Sequence, residues 1–104
     1  MMRVKDYTKS LHFYQDILGM NLQRKVELPQ YKFSLYFMSH AGEGSSPGDV
    51  WDPVIEMTHN HGTEDDADFK YHNGNSTDNG AIQGYGHTGF LVDDLEGACT
   101  WLEA

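Results

Sequence analysis

The chain has 104 residues, enough for one domain with a modest core that buries roughly 65% of the surface its unfolded form exposes. Sixteen acidic against seven basic residues give a formal net charge of −9, a field that repels nucleic acid and anionic membrane, so neither is expected as a partner. Cys99 is the only cysteine, no apolar run approaches the ~20 residues a membrane helix needs, and MMRVKDYTKS lacks the apolar stretch of a signal peptide; together these read as a cytoplasmic protein without an intrachain disulfide.

Taken in order, Met1, Met2 and Val4 around Arg3 read as the end of a strand, because Lys5 and Asp6 already turn polar. From Tyr7 to Leu18, apolar residues at Leu11, Tyr14, Ile17 and Leu18 recur at spacings of three and four. That spacing predicts a helix, with Asp6 or Thr8 as its N-cap and Gly19 as a left-handed C-cap. Asn21 to Leu28 alternates apolar and polar apart from Arg24 and predicts a strand that stops at Pro29. Phe33 to Ser39 predicts another, whose Phe33, Leu35 and Phe37 share one face, a stripe more typical of core than of pocket. Gly42 to Asp49 (GEGSSPGD) is loop by composition.

Val50 to His61 carries the strand around which the rest is organised. Along VIEMTHNHG, Glu56, Thr58 and Asn60 fall on one face while Ile55, Met57, His59 and His61 fall on the other. One face is thus a row of carboxylate, hydroxyl and amide, the first mark of a site. The following acidic run, Glu64, Asp65, Asp66 and Asp68, reads as a solvated loop. His72 to Gly84, rich in Asn and Gly, reads as a linker, since it lacks the alternating acids of a calcium loop. Tyr85 to Val92 predicts a strand, and Asp93 or Asp94 caps a helix with Leu95, Ala98, Cys99 and Leu102 as its apolar stripe. Cys99 reads as a buried thiol, there being no identifiable base to make it a nucleophile.

The order is strand, helix, three strands, and then a second strand and helix that begin the same series. The fold class expected is therefore α+β: a βαβββ module over residues 1–62, a linker over 63–83, and the first strand and helix of a second, truncated module over 84–104. The abrupt start and the uncapped final helix read as a piece of a longer sequence. A four-stranded sheet with a helix on one face leaves its other face bare, to be covered by a partner module or chain.

The stretches MMRVKD, SLHFYQDILGM, KFSLYFM, IEMTHNHGTEDD, YHNGNSTDNG and GYGHTGFLVDD, in that order, resemble the glyoxalase I (lactoylglutathione lyase) family of the vicinal oxygen chelate superfamily. The resemblance implies paired βαβββ modules that cup one divalent metal and convert the hemithioacetal of methylglyoxal and glutathione, through an enediolate, into lactoylglutathione. It implies metal ligation by Glu56 and by His87, with a first ligand upstream of Met1 and a second glutamate, the leading candidate for the base, beyond Ala104. Glu56, a carboxylate at the metal, is itself placed to move a proton. Arg3 and Asn60, with Thr58 beside them, match positions that bind the glutathione moiety. Leu28, Tyr31, Leu35 and Phe37 match the lining of the pocket for the substrate's apolar group.

The likeness to the zinc type of the family implies Zn rather than Ni as the cofactor, with glutathione as cosubstrate, and a homodimer that shares its metal sites, so that Glu56 and His87 of one chain serve different ions. Gln83 stands where close relatives carry an arginine that grips a glutathione carboxylate, and His61 where Trp is usual; an amide supplies no charge-assisted bidentate contact. Taken without the resemblance, Glu56 reads first as a solvated carboxylate on an edge strand and His87 as a neutral core histidine. The competing readings of the whole are a non-catalytic metal or small-ligand binding module of the same superfamily, and an inactive fragment.

Overall fold

The computed structural model describes residues 1–40, 53–72, 74 and 85–104. Their contacts separate into two units, Met1–Tyr71 and His72–Ala104. The GEGSSPGD loop, the linker's 75–84 and Gln83 lie outside the described residues.

In the first unit, β1 (Met2–Val4) leads into α1 (Tyr7–Leu11), whose start is fixed by Asp6. The Asp6 carboxylate accepts from the backbone N–H of Thr8 at 3.0 Å and from the Thr8 hydroxyl at 2.5 Å, satisfying donors that a helix end leaves open. The Thr8 hydroxyl, followed by the backbone donors, holds the Asp6 carboxyl below its ordinary range. Beyond Leu11 the helix widens over His12–Ile17 into π-type turns, with the Leu18 N–H reaching the Phe13 carbonyl at 3.0 Å. Gly19, at φ +69°, then reverses the chain as expected, and the Met20 N–H closes on the Tyr14 carbonyl at 2.8 Å.

β2 (Asn21–Leu28) and β3 (Phe33–Ser39) have the bounds the alternation gives, and β4 is Ile55–Asn60. The sheet order is β1-β4-β3-β2, with β1 parallel to β4 and the other pairs antiparallel. β4 is therefore an interior strand, which removes the edge-strand reading of Glu56. Its central position follows from the helical crossover between β1 and β2, which sets β1 on the far side of β4.

Helix α1 covers one face of this sheet. Met20, Tyr36, Met38 and Met57 form the buried cluster there, with Met2, Val4, Tyr7, Leu11, Tyr14, Leu18, Leu22 and Ile55 packed around it. Tyr7 stacks on Tyr36 with ring centroids 5.3 Å apart and planes 10° from parallel. The core side of β3 is thus Ser34, Tyr36 and Met38, and the Phe33, Leu35 and Phe37 stripe is turned the other way, against the core reading of that stripe. Two apolar rows compete for one helix, and the row continuous with Met57 and Met20 wins it.

The departure of Arg24 from the alternation has a structural cause. Leu22 pairs with Met38 and Arg24 with Phe37, so an extra residue in β2 makes a bulge at Gln23. Leu22 consequently packs on the core while Arg24, Val26 and Leu28 lie on the opposite face.

In the second unit, α2 (Leu95–Glu103) begins at Asp94, whose carboxylate accepts the Gly97 N–H at 3.0 Å. Tyr85 to Val92, expected as a strand, has no strand pairing among the described residues. Local β propensity specifies a pleated conformation, but a strand exists only where a neighbour takes its backbone donors and acceptors. Cys99 is exposed, contrary to the buried reading.

Candidate active site

The face of the sheet away from α1 carries the expected polar row. Cross-strand partners share a face, so the pairing builds this surface directly. Arg3 of β1 and Leu35 of β3 flank Thr58, and Leu35 in turn faces Val26 of β2. Phe33 lies beside Asn60 and across from Leu28. Phe37 lies between Glu56 and Arg24. Seven of the site positions expected in this unit, Arg3, Glu56, Thr58, Asn60, Leu28, Leu35 and Phe37, therefore occupy one surface.

Tyr31 stands at the rim. The turn Pro29–Tyr31 and Lys32, left-handed at φ +58°, join β2 to β3, and the exposed Tyr31 ring lies 6.3 Å from that of Phe33. Val26, Phe33 and Arg24 belong to the same surface and were not among the expected site residues. Period-two pairing of the two strands holds the signal for Val26 and Phe33. The bulge at Gln23 is what brings Arg24 to this side.

Apart from Arg24 on β2, polar and apolar residues divide the surface. Arg3, Glu56, Thr58 and Asn60 come from β1 and β4, whereas Val26, Leu28, Phe33, Leu35 and Phe37 come from β2 and β3. Thr58, between Arg3 and Leu35, is only 5% exposed. Glu56 is half-buried beside Phe37 and has no hydrogen-bond or ion-pair partner among the described residues. A carboxylate without a protein partner leaves both oxygens open to a cation. As a hard oxygen donor it fits a divalent ion of the zinc, nickel, cobalt or manganese kind.

Asn60 is anchored. Its Nδ2 donates to the Tyr71 hydroxyl at 3.0 Å, and the Tyr71 ring meets the edge of Phe69 with centroids 4.8 Å apart.

The opposite side of β4 holds a different arrangement. His59, 2% exposed, points to the α1 side, 5.0 Å from the Tyr7 ring. Its Nε2 lies 2.7 Å from Oε2 of Glu64, which also accepts the Gly62 N–H at 3.1 Å. The backbone N–H of Glu64 itself, then His59, hold the Glu64 carboxyl below its ordinary range. One acid of the run read as a solvated loop thus has a structural role. His61 is exposed, shares a 2.8 Å hydrogen bond with Ser34 Oγ and lies with its ring 5.8 Å from that of His59, on the same side of the sheet.

His87 lies in the second unit and is exposed, which removes its reading as a core histidine. Its imidazole is a competent ligand type for the same class of metal. Among the described residues no group of three or more His, Cys, Asp or Glu side chains could hold a metal ion, and no helix is long and apolar enough to cross a membrane.

Comparison with known proteins bears on the chain as a whole. All of residues 1–104 match the family described as Glyoxalase/Bleomycin resistance protein/Dioxygenase superfamily. The chain is 44% identical over 103 residues to glyoxalase I of Saccharomyces cerevisiae, covering 99% of this chain and 30% of that protein. It is 43% identical over 113 residues to the lactoylglutathione lyase of Pseudomonas putida, covering 100% of this chain and 63% of that one. Among solved structures, the trypanothione-dependent glyoxalase I of Leishmania major superposes with a TM-score of 0.69 at 29% identity, over 99% of this chain and 61% of the other. The chain spans 30 to 63% of the length of these curated relatives.

Proposed function

We propose that this chain, which belongs to the glyoxalase/bleomycin resistance protein/dioxygenase superfamily, carries part of the active site of a lactoylglutathione lyase. The observation that carries the reading is the single surface on which β1 and β4 contribute Arg3, Glu56, Thr58 and Asn60 while β2 and β3 contribute Leu28, Leu35 and Phe37. A hemithioacetal of methylglyoxal and glutathione has the same division, a charged peptide at one end and a small apolar group at the other.

Arg3, exposed and cationic, takes a carboxylate of the peptide; Thr58 and Asn60 supply short polar contacts along the same row. Leu28, Leu35 and Phe37, with Tyr31 at the rim, receive the apolar group and exclude water from it. Glu56 and His87 would each ligate a divalent metal, zinc in preference to nickel, the two residues of one chain serving different ions of a homodimer. When bound, a metal of this kind would supply Lewis-acid stabilisation of negative charge on the substrate's oxygens, which would acidify the carbon that bears both the hydroxyl and the sulfur. The Glu56 carboxylate is of the type that can accept the proton from that carbon and return it to the neighbouring one, which isomerises the substrate without net oxidation.

Formation of lactoylglutathione, followed spectrophotometrically with added zinc or nickel, tests the reading. The chain alone is expected to turn over little or not at all while binding S-methylglutathione. Binding with no turnover in any longer sequence that contains this chain would instead favour a non-catalytic ligand-binding member of the superfamily. Loss of both would set the lyase reading aside.

A further inference from the structure

The polar row contains a side chain that has one of its two N–H donors committed within the protein. Asn60 Nδ2 donates to the Tyr71 hydroxyl at 3.0 Å, in a part-buried position. A carboxamide is a planar group whose oxygen and nitrogen share one sp2 carbon, so fixing Nδ2 fixes the direction of Oδ1. Tyr71 is fixed in turn by the edge of Phe69, and the segment that carries both residues is folded by the Phe69 N–H on the Asp66 carbonyl at 3.2 Å and the Asp68 N–H on the Asp66 carboxylate at 3.0 Å.

We infer that Tyr71 is a positioning residue: it orients the Asn60 amide so that Oδ1 accepts a hydrogen bond from an N–H group of a peptide-like thiol ligand. The inference rests on the glutathione reading of the surface and adds to it a direction of hydrogen bonding. Without Tyr71 the amide is free to rotate, and an acceptor with two competing orientations binds a donor less well than a fixed one. Asn60 is the group that touches ligand, and Tyr71 acts only through it.

The test uses the full chain and S-methylglutathione as probe. Tyr71→Phe keeps the ring and its contact with Phe69 and removes the hydroxyl alone. It is expected to weaken probe binding by about three- to tenfold, the measure of one neutral hydrogen bond. Asn60→Ala is expected to weaken it at least as much, and the double variant no more than Asn60→Ala alone, because Tyr71 has no effect when its amide is gone. In an 15N-edited spectrum the Asn60 side-chain amide, identified by its loss in Asn60→Ala, is expected to exchange faster in Tyr71→Phe with the backbone resonances elsewhere unchanged.

If the wild-type chain fails to bind the probe, the glutathione reading falls and this inference with it. If the wild type binds and Asn60→Ala weakens it while Tyr71→Phe does not, or if the two losses add, this inference alone is overturned. Unchanged amide exchange in Tyr71→Phe overturns it as well.

Discussion

Replacing Met38 and its neighbour Phe37 by alanine tests which face of the sheet is core. Met38 is 0% exposed in the cluster under α1, whereas Phe37 is half-buried on the open surface between Glu56 and Arg24. Met38→Ala removes Cγ, Sδ and Cε, about 2.4 kcal/mol of transfer free energy at ~0.8 kcal/mol per methylene-sized group. The hole left between Tyr36, Met57 and Met20 relaxes only in part, which brings the expected loss to about 3–4 kcal/mol. Phe37→Ala leaves no enclosed cavity and is expected to cost about 1–2 kcal/mol despite its larger side chain. A unit the size of Met1–Tyr71 has a total stability of about 4–10 kcal/mol, so the methionine variant stands near the edge of unfolding. Urea unfolding followed by circular dichroism measures both. At ~1 kcal/mol per molar urea the midpoint falls by about 3–4 M for Met38→Ala and by about 1–2 M for Phe37→Ala. A loss from Phe37→Ala equal to or larger than that from Met38→Ala would mean that the open surface is itself core, and the site built on it would have to be abandoned.

Gly62, at φ +94°, has nothing within 4 Å of the position a Cβ would take, so Gly62→Ala meets only its backbone conformation and is expected to cost about 1–2 kcal/mol in the same urea titration; a neutral result would remove the left-handed turn from the account. Because the folded state holds the Glu64 carboxyl below its ordinary value, its contribution is present above the unfolded carboxyl pKa of ~4.3 and is lost as pH falls through the depressed folded value. The stability difference between wild type and Glu64→Gln should accordingly be constant near neutrality and shrink below about pH 4, and a difference that stays constant to pH 2 would refute the pairing. Glu56→Gln keeps shape and polarity but loses the anionic donor. Zinc affinity by calorimetry should fall about tenfold or more, and unchanged affinity would take Glu56 out of the metal site.

Much of the fold was legible because its punctuation is local. Gly19 and Pro29 bound β2, period two defines β3, and Asp6 announces the helix. The polar row on β4 was legible for the same reason, since Glu56, Thr58 and Asn60 alternate with Met57 and His59 within one strand. What was not legible is decided between strands. Which stripe of β3 meets α1 depends on what Met57 and Met20 offer from elsewhere in the chain, and composition alone favoured the wrong stripe. The bulge at Gln23 left a visible trace, the misplaced Arg24, but its consequence for facing appears only in the pairing with β3. Tyr85 to Val92 has strand propensity without a partner strand among the described residues. The pair Asn60–Tyr71 obeys no period, because it joins a strand to the segment after it through side chains alone.

The segment after β4 is where the acidic run misled most, and it explains how a strand with two unlike faces is held. Thr63 Oγ1 donates to the Lys5 and Asn60 carbonyls, at 2.7 and 3.0 Å, tying the ends of β1 and β4 together. One residue further, Glu64 takes His59 on the helix side; at the end of the segment Tyr71 takes Asn60 on the open side. A single stretch of chain thus grips β4 from both faces through consecutive residues, His59 and Asn60, that point in opposite directions. Strand β4 presents Glu56, Thr58 and Asn60 at the spacing of a regular pleat, and a slip of one residue would send all three into the core face. Pairing with β1 and β3 resists such a slip through backbone bonds. The clamp of Glu64 and Tyr71 resists it through side chains, since a register shift would have to break the part-buried His59–Glu64 contact and the Asn60 anchor at once. The net charge of the run is therefore secondary to where two of its side chains reach.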